Sequence, residues 1–157
     1  MRERTCCFTG HRNIAPEQQG MVAKRLYHVI EQLVRSGYCY FGAGGALGFD
    51  TMAARCVLKL REKYPQIKLI LVLPCMSQTR GWAEADVAIY EEIRRRADKI
   101  VYTSYEYFSG CMFKRNRHLV EFSSVCVAYL REKRGGTAYT VNYARQLGLK
   151  IINLAEY

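Results

Sequence analysis

Four glycines fall within seven residues in Gly42-Ala43-Gly44-Gly45-Ala46-Leu47-Gly48, directly ahead of Phe49-Asp50 and a helical pattern. Glycines in such a loop leave the backbone free to approach an anion. The amino end of the following helix, with its unpaired N–H groups, then stabilises the negative charge. Arg134-Gly135-Gly136-Thr137 repeats the arrangement later in the chain, with a threonine hydroxyl able to cap the helix or donate to a phosphate oxygen. A third cluster, Thr9-Gly10-His11-Arg12, supplies side chains: an arginine fork suits a phosphate, and a histidine beside it suits a sugar or base. Phosphate is the common chemistry of the three. Each loop taken singly reads equally well as a tight structural turn.

The familiar phosphate motifs do not match. No lysine follows Gly48, as a Walker-type loop would need for the β- and γ-phosphates. Gly42-x-Gly44 is continued by Gly48 at the seventh place rather than the sixth, and the next strand ends in Leu73-Pro74 with no acid for a ribose. Both kinase-like and nicotinamide-dependent chemistry are therefore disfavoured, and no cofactor is evident. Asp50 suits either ribose hydroxyls or the helix amino end. Arg115-Asn116 reads as the opening of a helix able to close over a ligand, or as plain surface basicity. Trp82 and Tyr105 are candidates for stacking on a base or for the core. Asp50, Glu84, Asp86 and Glu121 are the carboxylates a hydrolase would draw on, but no nucleophile–base pair is recognisable and no catalytic residue is assigned.

The elements that must position these residues follow from hydrophobic pattern. Strand-like runs rich in β-branched and aromatic residues occur at 5–8, 38–41, 68–73, 99–103, 125–129 and 150–154, mostly without alternation, which implies burial on both faces. Between the first two, Pro16 suits a helix start, and Val22, Leu26, Val29, Ile30 and Leu33 recur at helical spacing before Ser36-Gly37. Further helices are expected over 50–63, 82–96, 116–123 and 137–147, with 104–114 as the most irregular connection. This alternation predicts an α/β fold: an open, mostly parallel sheet of six strands with helices on both faces. In such sheets ligands lie outside the carboxyl ends of the strands, where all three loops fall.

The 157 residues read as one domain, 1–157, with 50% hydrophobic and 24% charged residues. No apolar run approaches the roughly 18 residues of a membrane span, and the amino terminus lacks the apolar core of a signal peptide, so a cytoplasmic protein without membrane partners is expected. Seven cysteines, mostly inside apolar runs and without C-x-x-C spacing, point to reduced thiols and no metal site. A net charge of +10 and 12 tyrosines favour anionic partners and keep nucleic acid among them. Homo-oligomerisation is left open by the sequence.

Cys6-Cys7-Phe8-Thr9-Gly10-His11-Arg12, Gly45-Ala46-Leu47-Gly48-Phe49-Asp50, Arg115-Asn116 and Gly135-Gly136-Thr137, in this order over nearly the full chain, resemble the YpsA-type branch of the SLOG superfamily. The resemblance implies a Rossmann-like fold and a site for nucleotides or their derivatives. The Lonely Guy phosphoribohydrolases of the superfamily carry Pro-Gly-Gly-x-Gly-Thr-x-x-Glu with a catalytic glutamate. Here Arg134 stands for the proline, and Val141 and Asn142 are not acidic, so N-glycosidic hydrolysis is not transferred. Gly136-Thr137-Ala138-Tyr139-Thr140-Val141 is closer to the Gly-Ser-Leu-x-Thr-Ala of the DNA-processing protein A family, whose members bind single-stranded DNA. The expectation is a module that binds or senses a phosphate-bearing nucleotide derivative. A Lonely Guy-like hydrolase and a single-stranded nucleic-acid binder are the alternatives.

Overall fold

Every strand of the computed structural model runs parallel to its neighbours, and residues 1–156 are described. The last residue of the expected 1–157 unit lies outside them. After a 3-10 turn at Arg2–Arg4 come β1 (Thr5–Gly10), α1 (Pro16–Arg35), β2 (Tyr40–Ala43), α2 (Phe49–Lys63), β3 (Lys68–Leu73) and α3 (Glu84–Arg96). Then follow β4 (Lys99–Tyr102), α4 (Cys111–Glu121), β5 (Val125–Tyr129), α5 (Gly136–Gln146) and β6 (Lys150–Asn153). The six strands lie in the order β4-β3-β2-β1-β5-β6. This is the expected Rossmann-like α/β sheet.

The reversal of strand order puts helices on both faces, since each parallel crossover is right-handed. Cys6 and Phe8 of β1 point to one face, where Leu26, Ile30, Ala53, Val57 and Ile93 of α1–α3 close the larger core. Cys7 points to the other, where it meets Cys126, Leu119, Val141 and Ala144 under α4 and α5. All seven cysteines are free thiols, five of them buried. Burial pushes the Cys56 thiol up to about 12, so it stays protonated. Among the described residues no helix is long and apolar enough to cross a membrane.

Three expected element starts move by two residues or more. The second strand begins at Tyr40 rather than at residue 38, because Gly37 at φ 103 and the Tyr38 N–H, bonded to the Leu33 carbonyl at 3.0 Å, still belong to the end of α1. The helix expected from Trp82 starts at Glu84, after turns that run through residue 81. The largest shift is in α4, expected from Asn116 but starting at Cys111 behind Gly110, which takes φ 93. Arg115 and Asn116 therefore sit in its second turn and do not open it. The last four residues of the segment read as irregular, 111–114, are helical.

Candidate functional site

The chain steps from β1 to β4 in one direction and then returns to place β5 on the other side of β1. Connections leaving β1 and β5 part toward opposite faces, and a crevice opens at the switch point. A cavity of about 510 Å³ lies there. Its walls are His11, Arg12 and Asn13 after β1, with Tyr129, Arg131 and Glu132 from the end of β5 and the loop beyond. The volume falls within the range of small-molecule sites, roughly 300–1,000 Å³.

His11 joins the two walls. Its Nε2 accepts the Arg131 N–H at 2.9 Å, and its ring stands edge-on to Tyr129 with centroids 5.9 Å apart. An accepting Nε2 leaves the ring proton on Nδ1, which is the polar atom that remains for a ligand. Arg12 is exposed, with its guanidinium 5.9 Å from the centroid of the Trp82 ring. A cation–π contact of that length is a weak restraint, so the side chain can be redirected toward an anion.

The amino end of α5 faces the same edge. Gly135 takes φ 104, no side chain caps the helix, and a Cβ at Gly135 or Gly136 would meet nothing within 4 Å. The first-turn N–H groups of an α-helix have no intrahelical partner, so an anion can reach them here. Thr137 lies in that turn, half-buried, and makes no cap hydrogen bond. The nearby carboxylate is Glu132, which the sequence reasoning did not single out. Its signal was available: it stands between the fifth strand and the second glycine loop.

The first glycine loop differs. A Cβ at Gly45 would lie 2.6 Å from Leu73, and one at Gly44 would lie 2.5 Å from the Arg115 guanidinium. At Gly48, φ is 81 and a Cβ would collide with the Arg12 carbonyl. At Gly10 it would collide with the Phe49 ring, and Gly42 lies within β2 with Leu119 at 3.0 Å from such a Cβ. These glycines let neighbouring segments pass close together. The β1–α1 connection crosses the start of α2, where the Phe49 N–H donates to the His11 carbonyl at 3.2 Å.

Beneath the loop is a buried polar bracket. Arg115, 5% exposed, donates to the Gly44 carbonyl, which also accepts Gln78 Nε2 at 3.2 Å. Asp50, 7% exposed, accepts the Ala46 N–H at 3.2 Å. Burial pushes the Asp50 carboxyl up and the Arg115 guanidinium down, and each charge partly offsets the penalty on the other. Gln78 Oε1 is buried without a hydrogen-bond partner. Asp50 and Arg115 thus hold the loop from inside. Neither is a surface residue reaching for a ligand.

The structure therefore gathers His11, Arg12, Gly135, Gly136 and Thr137 along the outer edge and sets Thr9, Gly10 and Gly42 within strands. Asn116 is half-buried, and its Oδ1 accepts Arg115 Nε at 2.7 Å. Trp82 packs edge-on against Tyr90, whereas Tyr105 is exposed. Among the carboxylates considered, Glu121 is engaged by the Tyr143 hydroxyl, Glu84 is exposed, and Asp86 lines a second, less polar cavity of about 880 Å³ between α1 and α2. Arg12 reaches both cavities. The smaller one lies at the switch point and concentrates the polar groups.

Comparison with known proteins gives consistent results. The YpsA family model, described as the YspA SLOG family, matches residues 7–151. The SPbeta prophage-derived protein YoqJ of Bacillus subtilis (strain 168) is 31% identical over 135 residues, covering 78% of this chain and 79% of that protein. A UPF0398 protein of Bacillus cereus (strain G9842) is 31% identical over 141 residues, covering 88% and 76%. DNA processing protein A from Helicobacter pylori, whose structure describes a single-stranded DNA binding mode, superposes with TM-score 0.67 at 19% identity over 94% of this chain. Its counterpart from Streptococcus pneumoniae gives TM-score 0.67 at 16% identity over 95%. The chain spans 63% and 49% of those two structures. At such identities the likeness is one of fold.

Proposed function

This chain belongs to the YpsA family of SLOG proteins, and from that premise we propose that it binds a phosphate-bearing nucleotide or nucleotide derivative at the carboxyl edge of its sheet. The observation that carries the reading is the cavity at the β1/β5 switch point, on the same sheet edge as the uncapped amino end of α5. Arg12 and the α5 N–H groups are suited to the phosphate, and Nδ1 of His11 and the Tyr129 wall to the sugar or base. The first glycine loop contributes by fixing the β1–α1 connection that carries His11 and Arg12. Fold alone does not select a ligand, so the proposal rests on the site.

The test is a thermal-shift panel of mononucleotides, ADP-ribose and NAD on wild type and Gly136→Asp. A ligand at a hundred times its dissociation constant adds about 2.7 kcal/mol, which for a chain of this length is a rise in Tm of roughly 5–10 °C. Gly136 is the position to change. Its Cβ meets open space, and an acidic residue in the first turn favours the helix, so the free variant should keep or raise its Tm. The added carboxylate repels an incoming phosphate and should abolish the ligand-induced shift. A folded Gly136→Asp protein that keeps the full shift would falsify the assignment of α5 as the phosphate cradle.

A further inference from the structure

Seven of the ten exposed large apolar side chains among the described residues gather on one stretch of the carboxyl edge. Met76 follows β3. Tyr105, Tyr107 and Phe108 occupy the β4–α4 connection, Met112 and Phe113 begin α4, and Tyr139 lies in the first turn of α5. Tyr105 is 71% exposed and Tyr107 68%. Contacts join them into one ridge. The Met76 N–H donates to the Tyr105 carbonyl at 3.0 Å, Lys114 Nζ donates to Ser104 at 3.3 Å, and Phe113 stands edge-on to Tyr139 with centroids 4.9 Å apart.

The charges set along this ridge are mostly of one sign. Lys114 lies within it. Arg117, one turn beyond Phe113 on α4, is exposed. Exposed Lys133 and Arg134 lead into the α5 turn that carries Tyr139. Glu106 and Glu132 are the acids that interrupt the series. Exposed apolar side chains are ordinarily scattered singly, and a contiguous cluster marks a binding surface. Aromatic faces among cations fit a partner that has both π-faces and a chain of negative charge. A duplex hides its base faces, and an acidic protein surface offers few rings.

We propose that the ridge is a stacking surface for single-stranded nucleic acid. Bases lie against Tyr105, Tyr107, Phe113 and Tyr139, and phosphates lie along Lys114, Arg117, Lys133 and Arg134. The proposal goes beyond the small-ligand site and does not depend on it, because Tyr105 and Phe113 take no part in that site.

Fluorescence anisotropy with a labelled 20-mer of oligothymidylate, beside a duplex of equal length, tests the idea. The single strand should be preferred by at least about tenfold, since stacking needs unpaired bases. Tyr105→Ala, Phe113→Ala and Tyr139→Ala should each weaken binding about 5- to 150-fold at unchanged salt slope. Lys133→Ala and Arg134→Ala should each flatten the slope of log K against log salt by about 0.7. Mononucleotide thermal shifts should stay as in wild type for Tyr105→Ala and Phe113→Ala, which separates failure here from failure of the small-ligand reading. Equal affinity for duplex, or aromatic variants that bind as wild type does, would overturn the proposal. So would a protein that ignores the oligonucleotide and instead self-associates through the ridge, becoming monomeric in sedimentation on Phe113→Ala.

Discussion

Arg115 and Asp50 both crowd the space that a side chain at Gly44 would fill, two charged residues taken out of water to shape a loop of backbone. Removing one member of such a pair leaves an uncompensated buried charge, which costs about 3–5 kcal/mol. Arg115→Ala should therefore lower Tm by roughly 6–20 °C for a chain of this length. The pH dependence follows from the carboxyl that remains. Asp50 has a folded-state pKa above its ordinary value, from burial, and loss of Arg115 raises it further. A raised pKa means stability that is full below the unfolded value, about 4, and is lost as pH rises through the folded value. The deficit of Arg115→Ala should thus be smallest near pH 4 and grow toward neutrality. A deficit independent of pH, in parallel melts of variant and wild type, would rule out the charge account. The sequence carried a clue to this burial. Cys111, Arg115 and Leu119 recur at four-residue spacing, one inward stripe of α4. The exposed Met112 and Phe113 blurred that stripe, because apolar residues outside the buried face break the amphipathic period.

At the scale of elements, the same residue type does opposite work in two places. Gly48 begins α2 at φ 81 against the Arg12 carbonyl, whereas Gly20 lies on the exposed side of α1 with nothing within 4 Å of its missing Cβ. Gly20→Ala should stabilise by about 0.5–1 kcal/mol, the ordinary helix preference for alanine. Gly48→Ala should destabilise by at least about 2 kcal/mol, since left-handed strain of about 1–2 kcal/mol adds to displacement of the β1–α1 connection. It should also weaken the nucleotide-induced shift, because that connection carries His11 and Arg12. Denaturant titration of both variants checks the pair, and a stabilised or neutral Gly48→Ala would sink the packing role given to this glycine. The contrast explains which parts of the site were legible. The run Gly42 to Gly48 announces a strained turn in any sequence, and its place after a buried strand put it on the right edge. Whether its glycines face a ligand or their own neighbours depends on Leu73, Arg12 and Arg115, which are remote in sequence. Gly135-Gly136 reads in the sequence as a repeat of the same arrangement, yet it is the pair with open space before it. The strands were legible because they are continuous apolar runs, except where the end of α1 reaches Tyr38.

Across the whole molecule, 24 basic and 14 acidic residues leave a charge of +10, and the ion pairs use the acids locally. Glu31 is shared by Lys63 and Arg35, and Asp98 is held by Arg61, so most of the surplus remains on the surface as unbalanced positive charge. Such a surplus destabilises the compact state by self-repulsion and at the same time draws anions to the carboxyl edge. Salt acts on both effects with opposite consequences, because the screening length falls from about 30 Å at 0.01 M to about 8 Å at 0.15 M. The ligand-free protein should therefore melt higher as sodium chloride is raised over this range. The additional rise in Tm produced by a fixed nucleotide concentration should shrink over the same range, since the phosphate is attracted less and chloride competes at the α5 amino end. Gly136→Asp should show the first trend and not the second, because it keeps nearly all of the surplus charge but lacks the cradle. A ligand-free Tm that falls with salt would mean that ion pairs such as Arg61–Asp98 outweigh the surplus. A nucleotide shift unaffected by salt would mean that the ligand is held by its base and sugar and not by its phosphate.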